Sequence, residues 1–280
     1  MRELSADLIA DRVAELCQQA NCDLPGDVLS ALVEAARREE SPTGRRILGE
    51  LCANARLAAA ERIAICQDTG MVVAFVEVGQ DLRITGGALG EAINRGVARG
   101  YREGCLRPSV VADPLRRVNT GDNTPAVIYY DIVPGAGFRI TIMPKGFGSE
   151  NCAALGMLQP AAGKEGVREF VVNAVARAGA NPCPPVVVGV GLGGTADKAL
   201  LLARYALLRP LGQRHPDPEY ALLESELETA IDALGYGPGG FGGRVTALAV
   251  HVEFYPTHIA GLPVAVHISC HALRHRTWVF

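Results

Sequence analysis

The sequence predicts an α+β fold in which N-terminal helices are followed by mixed strands and helices in one unit, residues 1–280. Three observations carry that prediction. Apolar residues between Leu8 and Ala60 recur at helical spacing. Beyond Met71, short apolar runs bounded by glycine and proline alternate with helical segments. No internal repeat and no linker long enough to separate independent domains interrupts the chain.

The elements follow in order. Within 1–60, Leu8, Ile9, Val13, Leu16 and Ala20 mark a first helix, and Val28, Leu29, Leu32, Val33 and Ala36 a second. Ile47, Leu48, Leu51, Ala55 and Ala58 mark a third. Residues 71–78 read as a buried strand, and 88–101 as a helix with Leu89, Ile93 and Val97 on one face. The runs 127–133 and 138–143 flank Pro134-Gly135-Ala136-Gly137, a turn sequence, and are expected to pair as a hairpin. A helix over 167–178, a strand over 186–190 and a helix from Thr195 to Leu208 come next. A charged helix near 219–234 precedes the glycine-rich tract 235–243, the best internal hinge, and 245–254 and 262–268 are strand-like.

A chain of 280 residues that is 49% apolar can bury a sizeable core. Its 27 Lys and Arg against 30 Asp and Glu give a net charge of −3, so no basic field is available to hold a nucleic acid. Arg2, Glu3 and Asp7 put charge where a secretory leader needs an apolar stretch, and no segment reaches the roughly 18 apolar residues of a membrane span. The expectation is a cytoplasmic protein with no membrane partner. Eight cysteines without a secretory context read as reduced thiols, and the absence of any Cys-x-x-Cys pair removes zinc ribbons and ferredoxin-type runs. Cys17 and Cys52 sit on apolar helical faces and read as structural thiols.

Four loops combine reactive and turn residues. Cys66-Gln67-Asp68-Thr69-Gly70 crowds a thiol, an amide, a carboxylate and a hydroxyl between a helix and a strand. The second pairs Leu106-Arg107-Pro108-Ser109 with Asn119-Thr120-Gly121-Asp122-Asn123, where Arg107 offers a planar donor to a carboxylate. In Lys145-Gly146-Phe147-Gly148-Ser149-Glu150-Asn151 the glycines let backbone N–H groups turn toward an anion, though a tight turn with a solvated lysine reads the same. In Asn181-Pro182-Cys183-Pro184-Pro185 the prolines hold Cys183 in an extended, non-helical segment. Gly189, Gly191 and Gly194 match a dinucleotide fingerprint, but no strand with an acidic residue follows about 20 positions on, so close helix packing is the better reading. All six histidines lie between 215 and 275. His271 and His275, at helical spacing, read as a surface pair, while His258 stands in a turn between two strands, twelve positions before Cys270, where a histidine beside a thiol can serve catalysis.

Taken together and in this order, these loops, with Thr257-His258-Ile259-Ala260-Gly261-Leu262-Pro263, resemble the α subunit of the oxygen-sensitive class I fumarate hydratase and L-tartrate dehydratase family. The resemblance covers the chain from Cys66 onward and, more loosely, the N-terminal helices. It implies a 4Fe–4S cluster held by Cys66, Cys183 and Cys270, with one iron left open to substrate. It implies Asp68 as the general acid, His258 tuning its protonation and binding substrate, and Gln67, Thr69, Arg107 and Gly148 holding the dicarboxylate. The Lys145 loop looks more like the fumarase form than the tartrate dehydratase form, so (S)-malate and fumarate are the expected pair and L(+)-tartrate the alternative; Phe147 stands where a third glycine is common. The family's proton-abstracting threonine and further carboxylate ligands lie in a second domain, which implies a separate β subunit and an α2β2 assembly. A nicotinamide-dependent oxidoreductase and a non-catalytic subunit are the rival classes.

Overall fold

The computed structural model of the protein describes residues 2–280. The first part of the chain forms β1 (Arg2–Ser5), α1 (Ala6–Cys22), α2 (Gly26–Arg38), α3 (Pro42–Glu61), β2 (Met71–Gly79), β3 (Leu82–Thr85) and α4 (Leu89–Glu103). Then come β4 (Val127–Val133), β5 (Phe138–Lys145), α5 (Phe147–Glu150), β6 (Ala154–Leu158), α6 (Gly163–Ala178), β7 (Val186–Gly193) and α7 (Ala196–Ala206). The last are α8 (Pro218–Asp232), β8 (Ala247–Tyr255), β9 (Leu262–Ser269) and β10 (Arg276–Val279). The α+β expectation is met. Two compact units divide the elements: residues 2–24, 55–147 and 274–280 form the first, and 25–54 and 148–273 the second.

In the first unit α1 starts where the Ser5 side chain accepts the Leu8 N–H at 3.1 Å. Ile9, Val13 and Leu16 of α1 then pack with Ile93, Val97 and Tyr101 of α4 against Val72, Ala74 and Val76 of β2 and Ile140 and Ile142 of β5. The two helices touch at glycine: a Cβ on Gly96 would stand 2.6 Å from the Ala10 carbonyl oxygen, and one on Gly100 2.7 Å from that of Ala14. The sheet runs β10-β5-β2-β4, and β1 pairs with β3 in a separate parallel ribbon.

That order corrects the expected hairpin. β4 and β5 both form, yet β2 lies between them, parallel to β4 and antiparallel to β5. Most of β2 is buried, so it takes the central place with a partner on each side, while the half-exposed β4 takes the edge. The turn 134–137 straddles the end of β2, where Gly79 donates to the Gly137 carbonyl at 2.8 Å and Asp81 to that of Gly135 at 3.0 Å.

The second unit is built on the sheet β6-β9-β7-β8, with β7 parallel to β8 and antiparallel to β9. Val186, Val188 and Val190 of β7 pack with Val171 and Val175 of α6 and Leu223 and Leu227 of α8. The alternate positions of β7 meet α7: a Cβ on Gly191 would stand 2.6 Å from the Ala203 nitrogen and 2.9 Å from the Leu202 Cβ. The Gly189-x-Gly191 pattern therefore serves helix packing. Gly191→Ala is expected to cost about 1–3 kcal/mol through overpacking, read as a lowered urea midpoint; an unchanged midpoint would show that α7 can move away freely.

The glycine-rich tract 235–243 is no boundary between the units, contrary to the expected hinge; it lies inside the second. Gly239 donates to the Pro184 carbonyl at 2.8 Å and Gly242 to that of Tyr236 at 2.8 Å. The buried Glu39 carboxylate accepts the N–H groups of Arg244 at 3.0 Å and Val245 at 2.9 Å, with those of Glu40 and Ser41 at 2.8 Å each. Burial pushes the Glu39 carboxyl up, but the four N–H donors outweigh it and hold it below the usual range. A depressed carboxyl contributes stability that is present above its ordinary range and lost as pH falls through the folded value.

Candidate functional site

In the first unit the Cys66–Gly70 loop leads into β2 beside the end of β5, because Met71 pairs with Lys145. A Cβ on Gly70 would stand 2.7 Å from the Lys145 nitrogen, and with φ +78° the position demands glycine. The loop's carbonyls are tied from below. Arg274 Nη2 donates to the Asp68 carbonyl at 2.5 Å, Tyr101 Oη to the Thr69 carbonyl at 2.6 Å, and Asn123 Nδ2 to the Gly70 carbonyl at 3.1 Å. Burial raises the Tyr101 phenol far above its ordinary value, so it remains a donor.

With the carbonyls held, the loop's side chains are set. Asp68 Oδ1 accepts the Gly70 N–H at 3.0 Å and Oδ2 the Phe147 N–H at 2.9 Å. Cys66, half-buried, donates from Sγ to Gln67 Oε1 at 3.3 Å, and Gln67 is exposed. Thr69 is buried with its hydroxyl on the Arg107 carbonyl at 2.9 Å, while the Arg107 residue is exposed. Lys145 is buried rather than solvated, its Nζ 3.5 Å from the Gly146 carbonyl.

In the second unit Cys183 and Cys270 lie at one end of the sheet. Cys183 stands three positions before β7 and Cys270 directly follows β9, whose Ser269 pairs with Val187. His271 Nδ1 lies 3.1 Å from the Cys183 carbonyl oxygen, which ties the two segments together. His271 and His275 are on no helix, so their four-residue spacing is not a helical one, and both are half-buried. Cys183 is exposed and adopts φ +56°, a left-handed conformation instead of the extended one its flanking prolines suggested. Its N–H closes a turn onto the Ala180 carbonyl at 3.0 Å. Such a conformation costs on the order of 1 kcal/mol for a residue other than glycine, and strain of this kind gathers at functional sites. Gly148 is exposed at the start of this unit, near the Asn181 carbonyl.

His258 is elsewhere. Its exposed turn follows β8, whose Tyr255 pairs with Gly193 at the far end of β7. The twelve positions to Cys270 are largely taken up by β9, so one chain does not set His258 beside Cys270 or Cys183. At about 3.3 Å per residue, β7 alone separates them by roughly 20 Å. His258 Nδ1 accepts the Ala260 N–H at 3.2 Å and borders a cavity of about 640 Å³ lined by Leu192, Tyr220, Leu223 and Leu262.

None of the eight cysteines is in a disulfide. Cys17, Cys22 and Cys52 are buried, and burial pushes the Cys17 and Cys22 thiols up, away from the thiolate that binds metal. Cys66, Cys105, Cys152, Cys183 and Cys270 reach the surface. Among the described residues no group of three or more His, Cys, Asp or Glu side chains is gathered as a metal site. Sequence reasoning missed Arg274 and Tyr101, which lie under the Asp68 loop; the only signal was a charge following Ala272-Leu273 just before a strand. No helix among the described residues is long and apolar enough to cross a membrane.

The sequence pattern of the family described as Fumarate hydratase (Fumerase) matches residues 10–279. A Methanocaldococcus jannaschii protein named "Putative L(+)-tartrate dehydratase subunit alpha" is 43% identical over 272 residues, which cover 95% of each chain. The L(+)-tartrate dehydratase subunit alpha of Escherichia coli UTI89 is 33% identical over 280 residues, 99% of this chain and 92% of its own. That of Escherichia coli K12 is 32% identical with the same coverage.

Proposed function

Because the chain belongs to the fumarate hydratase (Fumerase) family, we propose that it is the α subunit of an iron-sulfur-dependent hydro-lyase that reversibly dehydrates (S)-malate to fumarate. The observation that carries this reading is the Cys66–Gly70 loop, whose carbonyls are held by Arg274, Tyr101 and Asn123 while a thiol, an amide and a carboxylate remain available. Dehydration must remove hydroxide, a poor leaving group, together with a weakly acidic C–H proton. A second reading, dehydration of L(+)-tartrate, is supported by the names of the relatives from M. jannaschii and E. coli. Comparison of kcat/KM on (S)-malate and L(+)-tartrate decides between the two.

The donor chemistry suits a 4Fe–4S cluster on Cys66, Cys183 and Cys270: each thiol lies on a loop, none is fully buried, and none is in a disulfide. Held by three thiolates, such a cluster would supply Lewis acidity toward the substrate hydroxyl. Asp68 keeps carboxylate lone pairs beyond the two taken by Gly70 and Phe147, so one oxygen can take up a proton from solvent and, once protonated, donate it to the departing hydroxyl, which leaves as water. Gln67, Thr69, Arg107 and the Gly148 N–H hold the carboxylates, with Thr69 acting through the Arg107 carbonyl. His258 serves that chemistry when a second copy of the chain supplies it, which suits an α2β2 assembly with a separate β subunit; the separation of His258 from Cys183 and Cys270 in one chain supports this. The 1–280 chain then works as one functional α-subunit domain.

Serine substitutions test the ligand set. Iron and sulfide content after anaerobic reconstitution should fall in Cys66→Ser, Cys183→Ser and Cys270→Ser and stay at the wild-type level in Cys105→Ser. Full iron content in Cys183→Ser would sink the assignment.

A further inference from the structure

Arg274 is 3% exposed, and its Nη2 donates to the Asp68 carbonyl at 2.5 Å. Among the described residues it forms no ion pair, and its Nε is buried with no hydrogen-bond partner. The neighbouring carbonyls of Thr69 and Gly70 are served by the neutral groups Tyr101 Oη and Asn123 Nδ2. A neutral donor would have sufficed to hold the Asp68 carbonyl as well. Burying a full charge without a counter-ion is costly, and the cost is offset only when an anion comes close. Carboxylates elsewhere in this chain show the usual solution, as where Arg204 meets Glu150 at 2.5 Å. Arg274 has no such partner, and the chain places it four positions after Cys270 and, in space, against the main chain of Asp68, two positions after Cys66.

We propose that Arg274 is a positioning residue whose buried guanidinium orients the Asp68 loop and is the built-in counter-charge for the anionic iron-sulfur cluster. The proposal rests on the cluster reading above. A cluster on three thiolates is anionic, and a fixed positive charge beside one of its ligand loops strengthens its retention and favours its reduced form. Arg274 touches no substrate atom; it acts through Asp68 and through its field.

The test uses the full chain, reconstituted anaerobically with ferrous iron and sulfide, as wild type, Arg274→Gln and Arg274→Lys. Three quantities are measured: the unfolding midpoint before reconstitution, the rate of iron loss to a chelator, and the midpoint potential of the cluster. Arg274→Gln removes a buried charge that has no counter-ion in the metal-free chain and keeps an amide donor for the Asp68 carbonyl, so its midpoint before reconstitution should match or exceed the wild type. After loading, iron loss should be faster by about 10–100-fold, and the potential should move to more negative values. Arg274→Lys keeps the charge and should restore the potential. Should Arg274→Gln fail to fold, Arg274→Lys alone decides, since a wild-type potential is expected there and a shift as large as that from removing a charge overturns the proposal. Equal destabilisation of Arg274→Gln before and after loading, with unchanged potential, would show a merely structural role. A wild-type chain that takes up no iron would sink the cluster reading and this proposal with it, whereas a loaded wild type with an indifferent Arg274→Gln sinks the role of Arg274 alone.

Discussion

Asp68→Asn is expected to lower turnover by ~10²–10⁴ at saturating substrate, with iron and sulfide content kept at the wild-type level. Asparagine preserves the size of the side chain and removes its titratable proton. The structure adds a complication that sets the control. Both Asp68 oxygens accept a backbone N–H, from Gly70 at 3.0 Å and Phe147 at 2.9 Å. An asparagine offers one oxygen, so one of those N–H groups loses its acceptor, at a cost of about 1–3 kcal/mol. Some loss of stability is therefore expected, and it must be separated from the chemical effect by measuring kcat on the loaded fraction only. A drop of ~10²–10⁴ corresponds to roughly 3–5 kcal/mol of barrier, more than the lost hydrogen bond explains. A variant within a few-fold of wild type would remove Asp68 from the proton transfer.

The same loop shows how much was legible beforehand. The three N-terminal helices were readable because apolar residues repeat at helical spacing over several turns each, and α1, α2 and α3 lie where that spacing put them. β1, β3, β6 and β10 are four or five residues long, too short for a periodic signal to mark them in the sequence. The turn 134–137 was readable as a turn, but its local chemistry is the same whether its strands touch or straddle a third. Cys66, Gln67 and Asp68 stood out because they are consecutive. Their support did not, because Arg274 lies 206 positions from Asp68 and Tyr101 32 positions from Thr69, and no local pattern links groups so far apart. His258 reads as a loop histidine from the sequence, yet only the pairing of Tyr255 with Gly193 shows that it stands at the other end of the sheet from Cys183.

These 280 residues, purified alone with iron and sulfide bound, are expected to show almost no hydratase activity, and adding the β subunit is expected to restore it. The exposure of the assigned groups carries this prediction: Gln67, Arg107 and Gly148, assigned to substrate, and Cys183, assigned to the cluster, are all exposed. In water an ion pair about 4 Å apart contributes ~1 kcal/mol, against ~4 kcal/mol where solvent is partly excluded. For each such contact strengthened in the transition state, the missing ~3 kcal/mol is a factor of about 10² in rate. Water also competes for any open metal position and for the charges meant for the two carboxylates. A covering partner removes both losses at once, and the resemblance places the proton-abstracting threonine on that partner. The relatives from E. coli are themselves named as subunits alpha, and the alignment covers 92% of their length. The decisive measurement is kcat of the loaded chain with and without the β subunit at matched iron content. Efficient turnover without the β subunit would mean that these residues exclude water and abstract the proton by themselves, and the two-subunit reading would have to be abandoned.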